Sequence, residues 1–159
     1  MKNLIILSAL ATVAMAACNN QSKTNTESIP VDSTATVVVV DTVSTCYTFK
    51  NDKMMVTLHT DAVGNKVSGH LAYNYAEKDN NSGTILGEYK GDTLFAEYTF
   101  VSEGKESVRE VAFVRSGNTL TEGYGDVIEA GGKVTFKDRS ALNYASGTVV
   151  SETPCAGPQ

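Results

Sequence analysis

The chain has 159 residues, with 13 basic and 18 acidic side chains and a formal net charge of −5 at pH 7. This acidic balance argues against nucleic-acid binding, which requires clustered Lys and Arg. The length is that of one domain with terminal segments, and no repeat of solenoid period is visible.

The first 17 residues have the pattern of an export signal. Lys2 provides a positive head, and the apolar run that follows, residues 4–17, is interrupted by Ser8 and Thr12. A membrane-spanning helix needs about 20 apolar residues, so this run is too short to span. We therefore predict a signal peptide over residues 1–17.

The residues that follow the apolar run carry a specific signal. Met15-Ala16-Ala17-Cys18 resembles the motif of the bacterial prolipoprotein family, in which an apolar residue and two small residues precede a cysteine. Leu is the usual first residue, so Met15 departs from the pattern. The resemblance implies that Cys18 becomes the lipid-modified first residue of an envelope protein. In that family an Asp directly after the cysteine tends to keep the protein in the inner membrane. Since residue 19 is Asn, the resemblance favours the outer membrane. The alternative is an ordinary signal peptide, with Cys18 free or disulfide-bonded.

The segment after Cys18 is polar and is expected to act as a tether. Residues 18–36 are mostly Ser, Thr, Asn and charged, and they cannot bury enough apolar area to offset chain entropy. Val37–Val40 could end this tether or form an edge strand, and the domain is placed at residues 37–159. Without Lys2 the mature chain has 12 basic and 18 acidic side chains, a net charge of −6.

Cys46 and Cys155 stand at the two ends of the patterned region. Export would place them in an oxidising compartment, where thiols pair. A bridge would close a loop of about 110 residues, which the chain-entropy model values at roughly 4.7 kcal/mol. The alternative is two unpaired thiols.

From Cys46 onward, short β-patterned runs alternate with turn residues, and no run has a helical period. If each turn reverses the chain, apolar residues face apolar residues on neighbouring strands: Leu58 faces Leu71, and Ile85 faces Tyr98. The turns used are Asn51-Asp52, Gly64-Asn65, Gly91-Asp92, the loop 103–106, Gly117-Asn118 and the loop 130–132. At 77–83 the register needs a bulge or a longer loop. The predicted strands are 46–50, 53–60, 66–76, 84–90, 93–102, 107–116, 119–129 and 133–138.

Eight sequential antiparallel strands either close into an up-and-down barrel or fold into a β-sandwich. The barrel is preferred because a long open meander leaves two unprotected edges. The first strand, 46–50, would pair with the last, 133–138, while residues 139–154 wrap the barrel or add a strand at 148–150. In topology alone this all-β architecture resembles the lipocalin and streptavidin groups, although the chain has no Gly-x-Trp signature.

The inward face predicted from these registers is rich in tyrosine. A small barrel either fills with side chains or holds one small ligand, so a tyrosine-lined pocket and a packed core are both open. Gly87 opposite Ala96 leaves room. The predicted inward residues are Tyr47, Phe49, Val56, Leu58, Leu71, Tyr73, Tyr75, Ile85, Tyr89, Leu94, Tyr98, Phe100, Val111, Phe113 and Tyr124.

Arg109 falls on the same inward face, across from Asp126, with Glu122 nearby. An inward Arg is costly unless it is paired. Arg109 could form a structural ion pair with Asp126, or bind a ligand carboxylate or phosphate, or face water if the register is wrong. The candidate ligand-binding residues are Arg109, Tyr73, Tyr89, Tyr98 and Tyr124.

The two histidines, His59 and His70, are predicted to lie opposite each other on the outer face, too few for a zinc site. No catalytic motif is present, so we expect no enzyme, no cofactor and no metal. The expected function is binding of a small amphipathic ligand or an envelope protein partner by a lipid-anchored barrel. The alternative is a structural or interaction lipoprotein with a filled core and no ligand.

Overall fold

The computed structural model of the protein describes residues 41–155. The predicted signal peptide 1–17, Cys18, the tether to residue 36 and Val37–Val40 lie outside the described residues, as do residues 156–159. Within residues 41–155, no helix has the length and apolar character that crossing a membrane requires.

The described chain is an all-β structure with almost no helix. One short 3₁₀ turn, Arg139–Ala141, interrupts it. The strands are β1 (Val43–Lys50), β2 (Met54–Val63), β3 (Lys66–Tyr75), β4 (Asn81–Lys90), β5 (Thr93–Ser102), β6 (Lys105–Ser116), β7 (Thr119–Gly123), β8 (Val127–Ala130), β9 (Lys133–Phe136) and β10 (Val149–Thr153).

Eight of these strands close into an antiparallel up-and-down barrel, which confirms the predicted fold. Strands β1 to β7 pair in sequence, and β10 inserts between β7 and β1. The predicted closing strand, 133–138, is wrong. The closing strand is β10, which comes from residues 139–154, the segment expected either to wrap the barrel or to add a strand at 148–150. Val150 of this strand is completely buried.

Residues 127–136 form a hairpin outside the barrel circuit. Strand β7 ends at Gly123 rather than at 129, and β9 runs parallel to β6 opposite Val108 and Arg109. The hairpin turn has two residues, Gly131 and Gly132, both at positive φ. Ile128 therefore pairs with Thr135, and the pairing predicted from a three-residue loop is wrong.

The registers of the other turns divide into two groups. Those at residues 64–65, 91–92 and 117–118 are confirmed, with Leu58 opposite Leu71 and Ile85 opposite Tyr98. The registers across the β1–β2 and β5–β6 loops are each shifted by two residues, so that Tyr98 lies opposite Arg109. Because side chains alternate with period two, this shift keeps the apolar faces together.

The barrel has two different ends. The near end carries the turns at 64–65, 91–92 and 117–118 together with the start of β1 and the end of β10. The far end carries the loops at 51–53, 76–80 and 103–104. The middle and near half are filled by side chains that are at most 1% exposed: Tyr98, Phe113, Leu58, Leu71, Ile85, Leu94, Leu120, Val56 and Val150.

Cys46 and Cys155 are joined as a disulfide with a Cα–Cα distance of 5.2 Å. Cys46 lies on β1 opposite Thr153 of β10. The bridge therefore crosses the seam where the first and last strands of the barrel meet.

Candidate ligand-binding site

At the far end of the barrel, Arg109 lies among three aromatic rings. Its guanidinium carbon is 5.3 Å from the ring centre of Tyr73, 5.5 Å from that of Tyr98 and 5.4 Å from that of Phe100. These rings come from β3 and β5, and Phe100 stacks on Tyr98 at 4.6 Å. Cations are attracted to the faces of aromatic rings within about 6 Å, so the cluster holds the charge of Arg109 inside the barrel wall.

Arg109 has no carboxylate partner among residues 41–155. The expected ion pair with Asp126 is wrong: Asp126 lies beyond the end of β7, and no carboxylate oxygen is within 4.0 Å of the guanidinium. The Arg109 Nε atom is buried without a hydrogen-bond partner, and so is the hydroxyl of Tyr98. Buried polar groups are nearly always hydrogen-bonded, so these two neighbouring groups are exceptions among the described residues.

Glu122 is a second charged group in this end of the barrel, and it is only 4% exposed. The Tyr73 hydroxyl donates a 2.6 Å hydrogen bond to Glu122 Oε1, and the Tyr124 hydroxyl donates a 2.8 Å bond to Oε2. Hydrogen bonds to a charged acceptor are the strong ones. The sequence placed Glu122 near Arg109 but gave it no role in the site.

Two cavities adjoin this cluster. One of about 240 Å³ lies where β7 leaves β6 and the hairpin joins it. Its lining includes Arg109, Glu122, Tyr124, Val127, Val134 and Phe136. The other, of about 270 Å³, lies between the far-end loops and reaches Tyr75, whose ring stacks on Tyr73. The first combines the cation of Arg109 with two glutamates, Glu110 and Glu122, and with apolar walls.

The predicted site residues fall in two places. Arg109, Tyr73 and Tyr98 meet at the far end, and Tyr124 joins them through Glu122, although Tyr124 itself is 45% exposed rather than inward. Tyr89 is separate from this group and lies 4.7 Å under the guanidinium of Arg115.

Burial raises the pKa values of the tyrosines in the cluster. It raises the pKa of Tyr98 to about 12, with the nearby charge of Arg109 acting in the opposite direction. Burial and the negative charge of Glu122 raise the pKa of Tyr124 to about 12 and that of Tyr73 well above its ordinary value. These hydroxyls therefore stay protonated and act as hydrogen-bond donors at neutral pH.

We expect the folded state to lose stability as the pH rises from about 10 toward 12. Tyrosines of the unfolded chain ionise near pH 10, whereas the buried ones hold their protons to higher pH. The unfolded state then binds fewer protons, so the free energy of unfolding falls. Urea midpoints measured from pH 8 to 12 would check this, and a flat profile above pH 10 would contradict it.

Two Tyr→Phe substitutions should differ in their effect on stability. Tyr73→Phe removes a hydrogen bond to buried Glu122 and should lower the free energy of unfolding by about 1.5–3 kcal/mol. Tyr98→Phe removes a hydroxyl that has no partner, so stability should be unchanged or increased. Urea denaturation of the two variants provides the comparison, and equal losses would contradict this assignment.

No family model, no curated protein and no solved structure matches this chain.

Proposed function

We propose that this protein is a non-enzymatic, lipid-anchored protein of the cell envelope whose barrel binds a small amphipathic ligand with an anionic group. The observation that carries the proposal is the partnerless, buried Nε of Arg109 beside the partnerless hydroxyl of Tyr98. A guanidinium offers donors in a geometry that matches a carboxylate or phosphate.

The surroundings of Arg109 support the amphipathic part of the proposal. Three apolar side chains, Val127, Val134 and Phe136, line the same 240 Å³ cavity as Arg109. An oxyanion held by Arg109 in this cavity would leave the apolar part of the ligand against these walls. Desolvation by such walls would strengthen the ionic contact.

The orientation of the barrel fits an anchored binding protein. The described chain begins and ends at the near end, whereas the Arg109 cluster lies at the far end. If Cys18 is acylated, as its sequence motif implies, the barrel strand that follows the N-terminal segment begins at the end opposite the Arg109 cluster. Two or more acyl chains would hold such a protein stably.

The test uses octanoate as an amphipathic anion and octanol as its uncharged match. Both are titrated calorimetrically into the mature chain carrying Cys18→Ser, which cannot be acylated. We expect octanoate to bind more tightly than octanol, because only octanoate offers the oxyanion that Arg109 lacks. Equal binding of both, or binding of neither, would contradict the anionic recognition.

Substitution of Arg109 should remove this preference. Arg109→Met should weaken octanoate binding by about tenfold or more, because a hydrogen bond to a charged group contributes about 1.5–3 kcal/mol. Arg115→Met is the matched control, since Arg115 also lies over a tyrosine ring but has Asp92 at 3.7 Å. Similar affinities for the Arg109→Met variant and the unsubstituted protein would make Arg109 structural.

The alternative, a structural or interaction lipoprotein without a ligand, draws support from the filled near half of the barrel. There the core side chains are almost completely buried. A protein partner in the envelope would then be the binding target. This alternative predicts that neither octanoate nor octanol binds. It also predicts that Arg109→Met changes only the free energy of unfolding.

A further inference from the structure

On the outer surface of the barrel, toward its near end, the Cys46–Cys155 disulfide lies beside His59. Cys46 on β1 is directly opposite His59 on β2. Cys155 is bonded to Cys46 from the end of β10. One donor atom from each of Cys46, His59 and Cys155 lies within 4.8 Å of the other two.

These three side chains form a donor set for a thiophilic metal ion once the disulfide is open. Zinc binds thiolates at about 2.3 Å and imidazole nitrogens at about 2.0–2.1 Å, so two sulfur atoms on one tetrahedral ion stand about 3.8 Å apart. In the oxidised protein the two sulfur atoms are bonded to each other, and a ring nitrogen of His59 lies within 4.8 Å of both. Small side-chain rotations would complete the site.

Asp61 adds the group that metal-binding histidines usually have. Its Oδ1 is 3.4 Å from His59 Nε2 and also accepts a hydrogen bond from Ser44. A carboxylate at this position orients the imidazole and increases its basicity. Alternatively, Asp61 supplies the fourth ligand, a position that water also fills in zinc sites with three protein ligands.

The bridge is accessible to a reductant. Cys155 is exposed, Cys46 is partly buried, and the His59 side chain is 43% exposed. Exposed disulfides are more often the labile ones. Once a reductant has opened the bridge, metal binding would therefore compete with reoxidation of the two thiols.

We propose that reduction of the Cys46–Cys155 bridge creates a Cys₂His site for Zn²⁺ with His59 as the third ligand. A dithiol reductant gives two electrons and two protons to the bridge and itself becomes a disulfide. One Zn²⁺ then binds the two sulfurs and the imidazole, and both thiol protons pass to solvent. This site is separate from the Arg109 cluster, so failure of either proposal leaves the other standing.

Cobalt provides the test because thiolate–Co²⁺ bonds absorb in the near ultraviolet. The mature chain carrying Cys18→Ser is reduced with a phosphine, and Co²⁺ is added under argon. We expect a charge-transfer band that saturates at one ion per chain, is bleached by Zn²⁺ and is absent from the oxidised protein. Near-ultraviolet circular dichroism of the tyrosines reports whether the barrel remains folded throughout.

Two histidine variants distinguish a metal site that includes His59 from metal binding by the two thiolates alone. His59→Ala should weaken Co²⁺ affinity by about tenfold or more, whereas His70→Ala is the matched control, because His70 lies opposite His59 but contacts Ser82 instead. Three results would each overturn the proposal. They are a folded, reduced chain without the band, equal effects of the two variants, and a reduced chain that unfolds and does not refold when Co²⁺ is added.

Discussion

Replacing Phe113 by alanine should lower the free energy of unfolding by about 3–5 kcal/mol. Phe113 is completely buried on β6 opposite Leu94, at the centre of the core cluster. Removing its ring takes away contacts with neighbours from several strands and leaves a cavity that a closed barrel cannot easily collapse. Because small domains have a total stability of about 5–15 kcal/mol, a loss of this size would be a large part of the whole.

The matched control is Phe95→Ala. Phe95 is on the neighbouring strand, opposite Ala112, and its ring faces outward under the guanidinium of Arg139 at 4.9 Å. The same truncation should cost about 1 kcal/mol there, since the ring is only partly buried. Urea denaturation gives both values, and equal losses would contradict the assignment of inner and outer faces on β5 and β6.

Removing the Cys46–Cys155 disulfide should cost about 2–5 kcal/mol. The bridge links positions 109 residues apart in sequence and crosses the seam between β1 and β10. In the chain-entropy model, a crosslink over so long a loop restricts the unfolded chain strongly. Without it, the closing strand β10 is held only by its hydrogen bonds and by the burial of Val150.

Cys155→Ala alone and the double variant Cys46→Ala/Cys155→Ala should lose the same amount of stability, because each removes the one disulfide found within residues 41–155. Urea midpoints measured in metal-free buffer keep this effect apart from metal binding. An unchanged midpoint for both variants would contradict a stabilising role for the bridge.

Most barrel registers could be predicted because their turns carry glycine in a conformation that other residues avoid. Gly64, Gly91 and Gly117 all adopt positive φ at the first position of two-residue turns. The β5–β6 turn escaped prediction because Glu103, a residue that rarely adopts positive φ, has a φ of 52° there. The sequence therefore suggested a longer loop.

The β1–β2 register was predicted wrongly because the side chain of Asn51 accepts hydrogen bonds within the loop that it begins. The Asn51 Oδ1 atom accepts hydrogen bonds from the backbone amides of Lys53 and Met54, each at 2.9 Å. Such side-chain contacts hold a loop longer than the two residues first assigned. The inward residues of β1, β2, β5 and β6 were still predicted correctly, because both shifts are by two residues.

The closing strand could not be predicted from local pattern alone. Residues 133–136 and 149–153 both form strands. Val150 of the second segment is completely buried in the barrel, whereas Val127 and Ile128, in the hairpin that contains the first segment, are about half exposed. The choice depends on the end of β7, where the Gly123 backbone lies too close to the Tyr144 ring for any side chain at that position. That contact joins distant parts of the chain, so no local window contains it.

The candidate site was predicted only in part, because some of its contacts join residues that are far apart in sequence. Side-chain alternation was enough to place Arg109 inside, but its neighbours depend on contacts across the barrel. Tyr73 and Glu122 are 49 residues apart and meet through a hydrogen bond. Asp126 was expected at Arg109 only because β7 was taken to continue past Gly123.

The proposed role of the far end of the barrel is to hold a small anionic ligand through Arg109. Native mass spectrometry of the full-length protein, purified from membranes of its host, can test this role and the lipid anchor together. We expect a mature chain that begins at acylated Cys18, contains one disulfide, and carries a small ligand whose occupancy falls sharply in Arg109→Met but not in Arg115→Met. A chain that starts elsewhere without acyl mass, or one that retains equal ligand after Arg109→Met, would contradict the account.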